Sequence, residues 1–445
     1  MIHFGYYSML IYKKTAWLVA TVAALSFSVY SPAQQKINKV DQDRARGVLH
    51  LVKDTIEKNY YDPTFHGYDL DARFQAANQK LADIASFEMG MNVVGWAVQG
   101  LNDSHTMFIP PLRNVLVYSG WRIEMVGGAC MISAVEPKSD AWKQGLRPGD
   151  VVEKVDDYQP TRSNFGQIRY IFSVLAPLAQ YHFLVASPSQ PARSVTTRSR
   201  LVNIPLTNMP GATTTQQLQR SAQGDWVVYK TRAVEVNDKL MIWKIPIFWL
   251  PESEVKREVS AARKHETLIL DLRDNGGGRH DDLRWLIGTF FDHDVTVGEM
   301  IERDKTEPLK ATSIGKGAFT GKLIVLVNSE SASAAEIFAR TVQLEKRGIV
   351  IGDRTAGAVR VAKIIPLGLA ARIPWGMEMS IARLIMSDGA DLEGKGVTPD
   401  TLMLPTSTDL AEGRDPVLST AAQLAGVQLS PEEAAKMFPI VWPTY

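Results

Sequence analysis

The spacing of hydrophobic residues changes several times along the chain and predicts a multidomain α/β protein. Apolar residues recur every three or four positions over 34–112, which predicts a helical N-terminal domain. Short apolar runs over 113–205 predict a β domain, whereas 206–238 is polar and predicts a connecting loop or hairpin. Strands and helices alternate over 239–405, which predicts an α/β core with a largely parallel sheet. Residues 406–445 predict C-terminal helices.

The first 33 residues have the pattern of a secretory signal peptide. Lys13 and Lys14 precede an apolar run over 16–29, and Ser31-Pro-Ala33 then offers a small-residue cleavage site. The run is shorter than the roughly 20 residues that a membrane-spanning helix needs. We therefore expect an exported, periplasmic or secreted protein, cleaved after Ala33, without an integral membrane span once the signal is removed.

Composition excludes several classes of function. The formal net charge is +1 and charged residues make up 22% of the chain, so no global field favours nucleic acid. The single cysteine, Cys130, excludes an intrachain disulfide and a multi-cysteine metal site. His280 with Asp281 and Asp282, and His293 with its acidic neighbours, lack metal-ligand spacing and are interpreted as solvated surface clusters. We expect no metal and no cofactor, and the oligomeric state stays open.

An apolar run over 323–327 predicts a buried strand that leads through a turn of small residues into a helix. Ser331 or Ser333 would lie at the junction, where free helix N–H groups favour a developing negative charge. Ser333-x-x-Glu336 is also a capping box, so the serine could equally be a helix cap.

The stretch Arg273-Asp-Asn-Gly-Gly-Gly278 follows another predicted strand. Its glycines allow backbone N–H groups to approach a substrate, as an oxyanion hole requires. A dinucleotide loop fits less well, because Asp281 stands where a third glycine belongs, and a plain turn is the remaining alternative. His105 lies in a loop beyond a predicted helix end, a place where a histidine is usually solvated.

Within the β region, one stretch contains Ala141, Gly145, Leu146, Gly149 and Asp150 at a characteristic spacing. This pattern resembles the signature of PDZ domains. The resemblance implies that an extended peptide is captured at a sheet edge. It also implies that Ser119, Gly120 and Trp121 receive a terminal carboxylate on their backbone N–H groups. A domain that only packs or gates is the alternative.

Several motifs occur in one order and together resemble the C-terminal processing peptidases and their relatives, the tricorn core and the chlamydial protease-like activity factor. The resemblance spans roughly residues 40–425 and implies a core of the ClpP/crotonase kind. The motifs are Asn102-Asp-Ser-His-Thr106, the PDZ-like block, Leu270-Asp-Leu-Arg-x-Asn-x-Gly-Gly278, Val327-Asn-Ser-Glu-Ser-Ala-Ser-Ala-Ala-Glu336, Gly352-Asp-x-Thr-Ala-Gly357 and Leu392-Glu-Gly-x-Gly-Val-x-Pro-Asp400.

The resemblance implies that Ser333, rather than Ser331, is a nucleophile. It further implies an oxyanion hole made by the backbone N–H groups of Ala334 and of a glycine, for which Gly277 is preferred to Gly278.

Two branches of this family activate the serine differently. The tail-specific branch uses a lysine about 25 residues later, where this chain has Ala358, and Lys363 lies too far along the predicted strand to replace it. The tricorn-like branch uses a histidine and a glutamate, which His105 and Glu393 match, with Ser104 beside the histidine. Asp391 is a weaker substitute for the glutamate.

The sequence therefore predicts an exported serine endopeptidase that acts on polypeptide substrates by acyl transfer. One alternative is a catalytically silent binding protein on the same fold, like the retinoid-binding relatives of the family. Another is a scaffold that presents only its PDZ-like domain.

Overall fold

The computed structural model describes residues 39–113, 115–203, 231–370 and 373–442. The predicted signal peptide, residues 1–33, and most of the predicted connecting segment therefore lie outside the described residues.

The N-terminal region is helical, as the sequence predicts. Its helices are α1 (Lys39–Asn59), α2 (Leu70–Lys80) and α3 (Phe87–Gln99). Asp69 and Ser86 cap α2 and α3 by accepting hydrogen bonds from Ala72 N–H at 2.9 Å and from Met89 N–H at 3.2 Å. A short strand, β1 (Met107–Ile109), follows the loop after α3. Strand β2 (Val115–Tyr118) comes next.

The following region forms a small β domain, defined here as residues 121–198, with its own apolar core. Its strands lie in the order β3-β4-β5-β6-β7, so β3 is an edge strand. The elements are β3 (Trp121–Val126), β4 (Ala129–Val135), α4 (Asp140–Lys143), β5 (Val151–Val155), α5 (Phe165–Tyr170), β6 (Gln180–Ala186) and β7 (Ala192–Arg198). Strand β8 (Arg200–Asn203) then pairs with β2.

The core contains a six-stranded sheet in the order β18-β15-β14-β11-β10-β9. Every neighbouring pair is parallel except β9 with β10, so the predicted largely parallel sheet is confirmed. Its strands are β9 (Arg232–Asn237), β10 (Leu240–Lys244), β11 (Thr267–Asp271), β14 (Lys322–Val327), β15 (Gly348–Gly352) and β18 (Thr401–Leu402). Strand β9 lies within the segment expected to be a connection, where it forms a hairpin with β10.

Helices cover both faces of this sheet. Leu323 and Val325 on β14 face one layer, whereas Ile324 and Leu326 face the other. The apolar run is continuous because a strand buried on both faces needs apolar residues at every position. One layer holds α6 (Glu252–Ala262), α7 (His280–Gly288) and α8 (Ala334–Leu344). The C-terminal helices are α9 (Ser407–Ala411), α10 (Pro416–Leu424) and α11 (Pro431–Met437), of which α10 and α11 form the second layer.

A second, antiparallel sheet was not predicted from the sequence. Its path is β1-β17-β12-β13, and β16 also pairs with β17. The strands are β12 (Val295–Glu302), β13 (Thr306–Ala311), β16 (Val361–Ala370) and β17 (Ile373–Met386). Pairing of Met107 with Glu378 joins β1 to β17 and so brings the loop after α3 onto the core. Within the described residues, no helix has the length and apolar character needed to cross a membrane.

Polar contacts dock the small β domain on the core. Arg162 pairs with Asp353, whose Oδ2 also accepts from Gly127 N–H at 2.8 Å. Asn328, in the loop before α8, donates to Glu124 Oε1 on β3 at 2.9 Å. Burial, together with the negative charge of Asp274, raises the pKa of Glu124 to about 8. Strand β3 is therefore tied directly to the loop that leads into α8.

The start of α8 is fixed by the buried carboxylate of Glu336. Its Oε2 accepts from Ser333 N–H at 3.0 Å and from Ala358 N–H at 2.8 Å. Its Oε1 accepts from Gly357 N–H at 2.7 Å and from the Thr355 hydroxyl at 2.5 Å. Burial nevertheless raises the pKa of Glu336 above its ordinary value. One carboxylate therefore holds the helix start against residues 355–358.

Replacing this carboxylate by an amide should destabilise the fold. Because the amide nitrogen of Glu336→Gln cannot accept a hydrogen bond, one of the backbone N–H groups loses its partner. We expect the free energy of unfolding to fall by about 1–3 kcal/mol at about pH 5, measured by urea denaturation. Glu345→Gln, at the exposed end of the same helix, should change it by less than about 0.5 kcal/mol.

The pH dependence of this difference gives a second readout. The pKa of Glu336 is higher in the folded protein than in the unfolded chain, so its contribution to stability is largest below about pH 4 and declines as the pH rises through the folded pKa. The stability difference between the native protein and Glu336→Gln should shrink as the pH rises. A midpoint that does not change with the substitution would contradict the proposed support.

Candidate active site

A cleft of about 1970 Å³ lies between the core and the small β domain. Its walls include β3, the glycine turn after β11, the loop before α8 and the loop after α3. The volume exceeds the roughly 300–1,000 Å³ of pockets for small ligands, so the cleft has room for a segment of a polymer.

Ser333 lies in the cleft at the start of α8 with unusual backbone angles. Its φ is 55° and its ψ is −118°, a combination that costs a non-glycine residue about 1–3 kcal/mol. Its N–H group contacts both Glu336 Oε2, at 3.0 Å, and Ala358 O, at 2.8 Å. The Glu336 half of the predicted capping box is therefore present, and the surrounding contacts hold the strained turn.

Ser331 has a different environment. It is fully buried, and its hydroxyl donates to Leu272 O at 2.8 Å while accepting from Asn328 N–H at 3.0 Å. These bonds give Ser331 a role in shaping the turn.

The glycine turn after β11 contacts Ser333 closely. A Cβ atom at Gly277, where φ is 93°, would lie 2.5 Å from Ser333 Cβ, so only glycine fits there. The N–H of Gly277 already donates to Asn275 Oδ1 at 2.8 Å. The N–H of Gly278, a residue that lines the cleft, has no acceptor among the described residues. The same holds for Ala334 N–H in the first turn of α8.

His105 and Glu393 are connected through Ser104. The Ser104 hydroxyl lies 2.7 Å from His105 Nδ1, and Ser104 N–H donates to Glu393 Oε1 at 3.3 Å. Glu393 Oε2 accepts from Val359 N–H at 2.8 Å. The structure therefore places the three residues in the order Glu393, Ser104, His105, without a direct bond between the carboxylate and the imidazole among the described contacts.

One peptide group joins this set to the serine. The carbonyl of Ala358 accepts from Ser333 N–H, and the N–H on the other side of the same peptide bond, that of Val359, donates to Glu393. Because a peptide group is planar and rigid, it fixes the spacing between Ser333 and Glu393. His105 and Ser333 both line the cleft.

Asp103 and Tyr60 support the histidine loop, and the sequence reasoning did not assign either a role. Asp103 Oδ1 accepts from His105 N–H at 3.0 Å and from the Ser380 hydroxyl at 2.5 Å. Asp103 Oδ2 accepts from the Tyr60 hydroxyl at 2.8 Å, and burial raises the pKa of that phenol. Asp103 lies in the same motif as His105, and this position in the sequence could have indicated its role.

The places of the lysine alternative and of Asp391 are also clear. Ala358, where the tail-specific branch has its lysine, lies directly beside Ser333. Lys363 is exposed on β16, with its Nζ 3.4 Å from Asn59 Oδ1. Asp391 pairs with Arg383 at 2.8 Å and accepts from Glu393 N–H at 3.0 Å, so it supports the turn that carries Glu393.

One of the two supposed surface clusters was misinterpreted. His280 is half-buried in the cleft, where burial and the charge of His105 lower its pKa. Asp282 lies on the buried face of α7 and accepts from Leu250 N–H at 3.0 Å. His293, by contrast, is exposed beside Asp292. Among the described residues, no group of three or more possible ligand side chains is arranged to hold a metal.

Ser119, Gly120 and Trp121 line the cleft at the start of β3. The Trp121 side chain is only 9% exposed, and its ring packs edge-on against Tyr181 and Phe183 at 5.1 Å. The indole therefore belongs to the core of the small β domain, and a ligand in the cleft would meet the backbone of this turn.

Comparison with known proteins identifies relatives. Residues 242–403 match the model of peptidase family S41. A "Probable CtpA-like serine protease" of Staphylococcus haemolyticus is 24% identical over 86% of this chain and 70% of its own length. The tail-specific protease of Haemophilus influenzae is 31% identical over 36% of this chain and 24% of its own length.

The fold is also found among solved structures. The crystal structure of mature CPAF superimposes with a TM-score of 0.63 at 16% identity, over 84% of this chain and 94% of that one. At this identity the likeness shows a shared fold alone. The family match includes the strands and turns that carry Ser333 and Glu393. Together with the named relatives it shows a serine-type peptidase whose residues 242–403 are similar to peptidase family S41.

Proposed function

We propose that the chain is an exported endopeptidase that cleaves polypeptides through an acyl-enzyme on Ser333. The observation that carries the proposal is the peptide group between Ala358 and Val359. It contacts the Ser333 backbone on one side and Glu393 on the other, and Glu393 leads through Ser104 to His105. A weak nucleophile, a base and a carboxylate at such sites are the groups that acyl transfer requires.

In this proposal His105 is the general base. Its Nδ1 is engaged by the Ser104 hydroxyl, so Nε2 is the nitrogen free to take the proton of Ser333. His105 then returns the proton to the leaving amine, and the acyl-enzyme is hydrolysed by water activated in the same way. Glu393 stabilises the imidazolium through Ser104, and the Tyr60–Asp103 pair positions the loop.

The oxyanion hole is proposed to consist of Ala334 N–H and Gly278 N–H. Both groups are without an acceptor among the described residues, whereas Gly277 N–H is bonded to Asn275. Gly277, the preferred donor from the sequence, could serve only after Asn275 releases it. The remaining contribution of Gly277 is to let the turn approach Ser333.

Substitutions at the serine and the histidine test the mechanism. Ser333→Ala removes the nucleophile and His105→Ala removes the base, so each should lower kcat by at least about 10³-fold. The measurement is mass spectrometry of the fragments released from a denatured protein mixture. Lys363→Ala, which changes an exposed side chain on β16, is the matched control and should cleave normally. Full activity of His105→Ala, or loss of activity in Lys363→Ala, would contradict this mechanism.

We further propose that the small β domain is PDZ-like and binds an extended segment of the substrate. Strand β3 is an edge strand, and it lines the same cleft as Ser333. An edge strand offers free backbone groups to a peptide that adds to the sheet. The turn of Ser119, Gly120 and Trp121 would bind the terminal carboxylate.

Amidation of the substrate's C-terminus tests this role. Loss of the charged hydrogen bonds should raise KM about tenfold or more, with little change in kcat, because the contact lies away from the reacting bond. Acetylation of the N-terminus of the same peptide is the control and should leave both constants unchanged. Equal KM values for the free and amidated peptides would contradict carboxylate capture.

Export is proposed from the pattern of residues 1–33. Cleavage after Ala33 would give a mature chain that begins with Gln34. N-terminal sequencing of the protein recovered from a Gram-negative host's periplasm should find this residue. Recovery of the uncleaved chain from the cytoplasm would contradict export.

A further inference from the structure

Glu378 is a carboxylate in the cleft for which the proposed mechanism has no use. It lies on β17 directly opposite Met107 on β1, two residues after His105. Residues opposite each other on antiparallel strands point to the same face of a sheet, so Glu378 shares a face with Met107, and both residues line the cleft. His105 and Glu378 line the same cleft, and the charge of His105 opposes the effect of burial on the pKa of Glu378.

Glu378 has no hydrogen-bond or ion-pair partner among the described residues, although it is half-buried. Burial accordingly raises its pKa. Two other carboxylates of the cleft already have partners, since Asp103 accepts from Tyr60 and Ser380, and Glu393 accepts from backbone N–H groups. The remaining carboxylates that line the cleft are each bonded to an arginine, a lysine or an asparagine.

A half-buried carboxylate without a partner costs free energy that a cationic ligand can recover. None of the positively charged residues that line the cleft forms an ion pair with Glu378 among the described contacts. Lys363 contacts Asn59, and Arg360 pairs with Asp391. His105 bonds Ser104 through Nδ1, and its ring makes no hydrogen bond or ion pair with Glu378 among the described contacts.

We propose that Glu378 is a specificity residue that binds a lysine or arginine side chain immediately after the scissile bond. The assignment rests on the proposed function, because it takes His105 as the group that protonates the leaving amine. That amine must lie within hydrogen-bond reach of His105. The residue that carries the amine therefore lies beside the histidine, where Glu378 is found.

The test uses two alanine-rich peptides without other charged side chains that differ at one position, which holds arginine or its uncharged isostere citrulline. Binding is measured by calorimetry on the full chain carrying Ser333→Ala, so that no cleavage interferes. The arginine peptide should bind on the order of tenfold more tightly than the citrulline peptide. Adding Glu378→Gln should reduce this ratio to about one. Adding Glu299→Gln, an exposed change on the neighbouring strand β12, should leave the ratio unchanged.

Cleavage by the native protein supplies the position. Among peptides that carry one arginine at successive positions, fragments should begin with arginine more often than with any other residue. Glu378→Gln should remove that preference in kcat/KM. Equal binding of the arginine and citrulline peptides would overturn the inference. A Glu378→Gln substitution that weakens the binding of both peptides by the same factor would also overturn it. If the native protein cleaves neither peptide but still prefers arginine in binding, the proposed reaction fails while the cation site stands.

Discussion

The structure of the site depends on the buried carboxylate of Glu336. A carboxylate in an apolar interior is costly, and it is tolerated here because it accepts four hydrogen bonds, including those from Ser333, Gly357 and Ala358. These bonds stabilise the strained backbone angles at Ser333, which a non-glycine residue does not adopt without such support. They also fix the peptide group that links Ser333 to Glu393. The strain at the serine is thus balanced by a polar network built into the helix start.

Regions that are distant in the sequence meet around this network. The helical N-terminal region supplies Tyr60, Asp103 and His105, and the second sheet attaches that region to the core through β1 and β17. The small β domain contacts the same region, because Glu124 on β3 accepts a hydrogen bond from Asn328, which lies just before Ser333. The small β domain therefore contacts the loop before the proposed nucleophile, and the N-terminal region contacts Glu393 through Ser104. A substrate bound along β3 would lie in the same cleft as the reacting groups.

The sequence predicted the largely parallel sheet because its strands are buried on both faces and carry unbroken apolar runs, as Leu323 to Val327 do. It also grouped Ser333, Ser104, His105 and Glu393 into one predicted site, through motifs that occur in one order along the chain. It did not predict the antiparallel sheet, because β16 and β17 carry mixed burial without a clean alternation. It mistook His280 and Asp282 for surface residues, since local acidity says nothing about which helix face is covered. The sequence did not indicate a role for Glu378, because this residue lies outside every motif. Only the structure shows that its carboxylate has no hydrogen-bond or ion-pair partner among the described residues.

The proposed reaction requires that Ser333 is a nucleophile activated by His105. Labelling with a serine-reactive fluorophosphonate, followed by mass spectrometry of the digested protein, measures this directly. We expect one adduct, on Ser333, formed at least about a hundredfold more slowly in His105→Ala and at the native rate in Lys363→Ala. An adduct elsewhere, no adduct at all, or an unchanged rate in His105→Ala would contradict it.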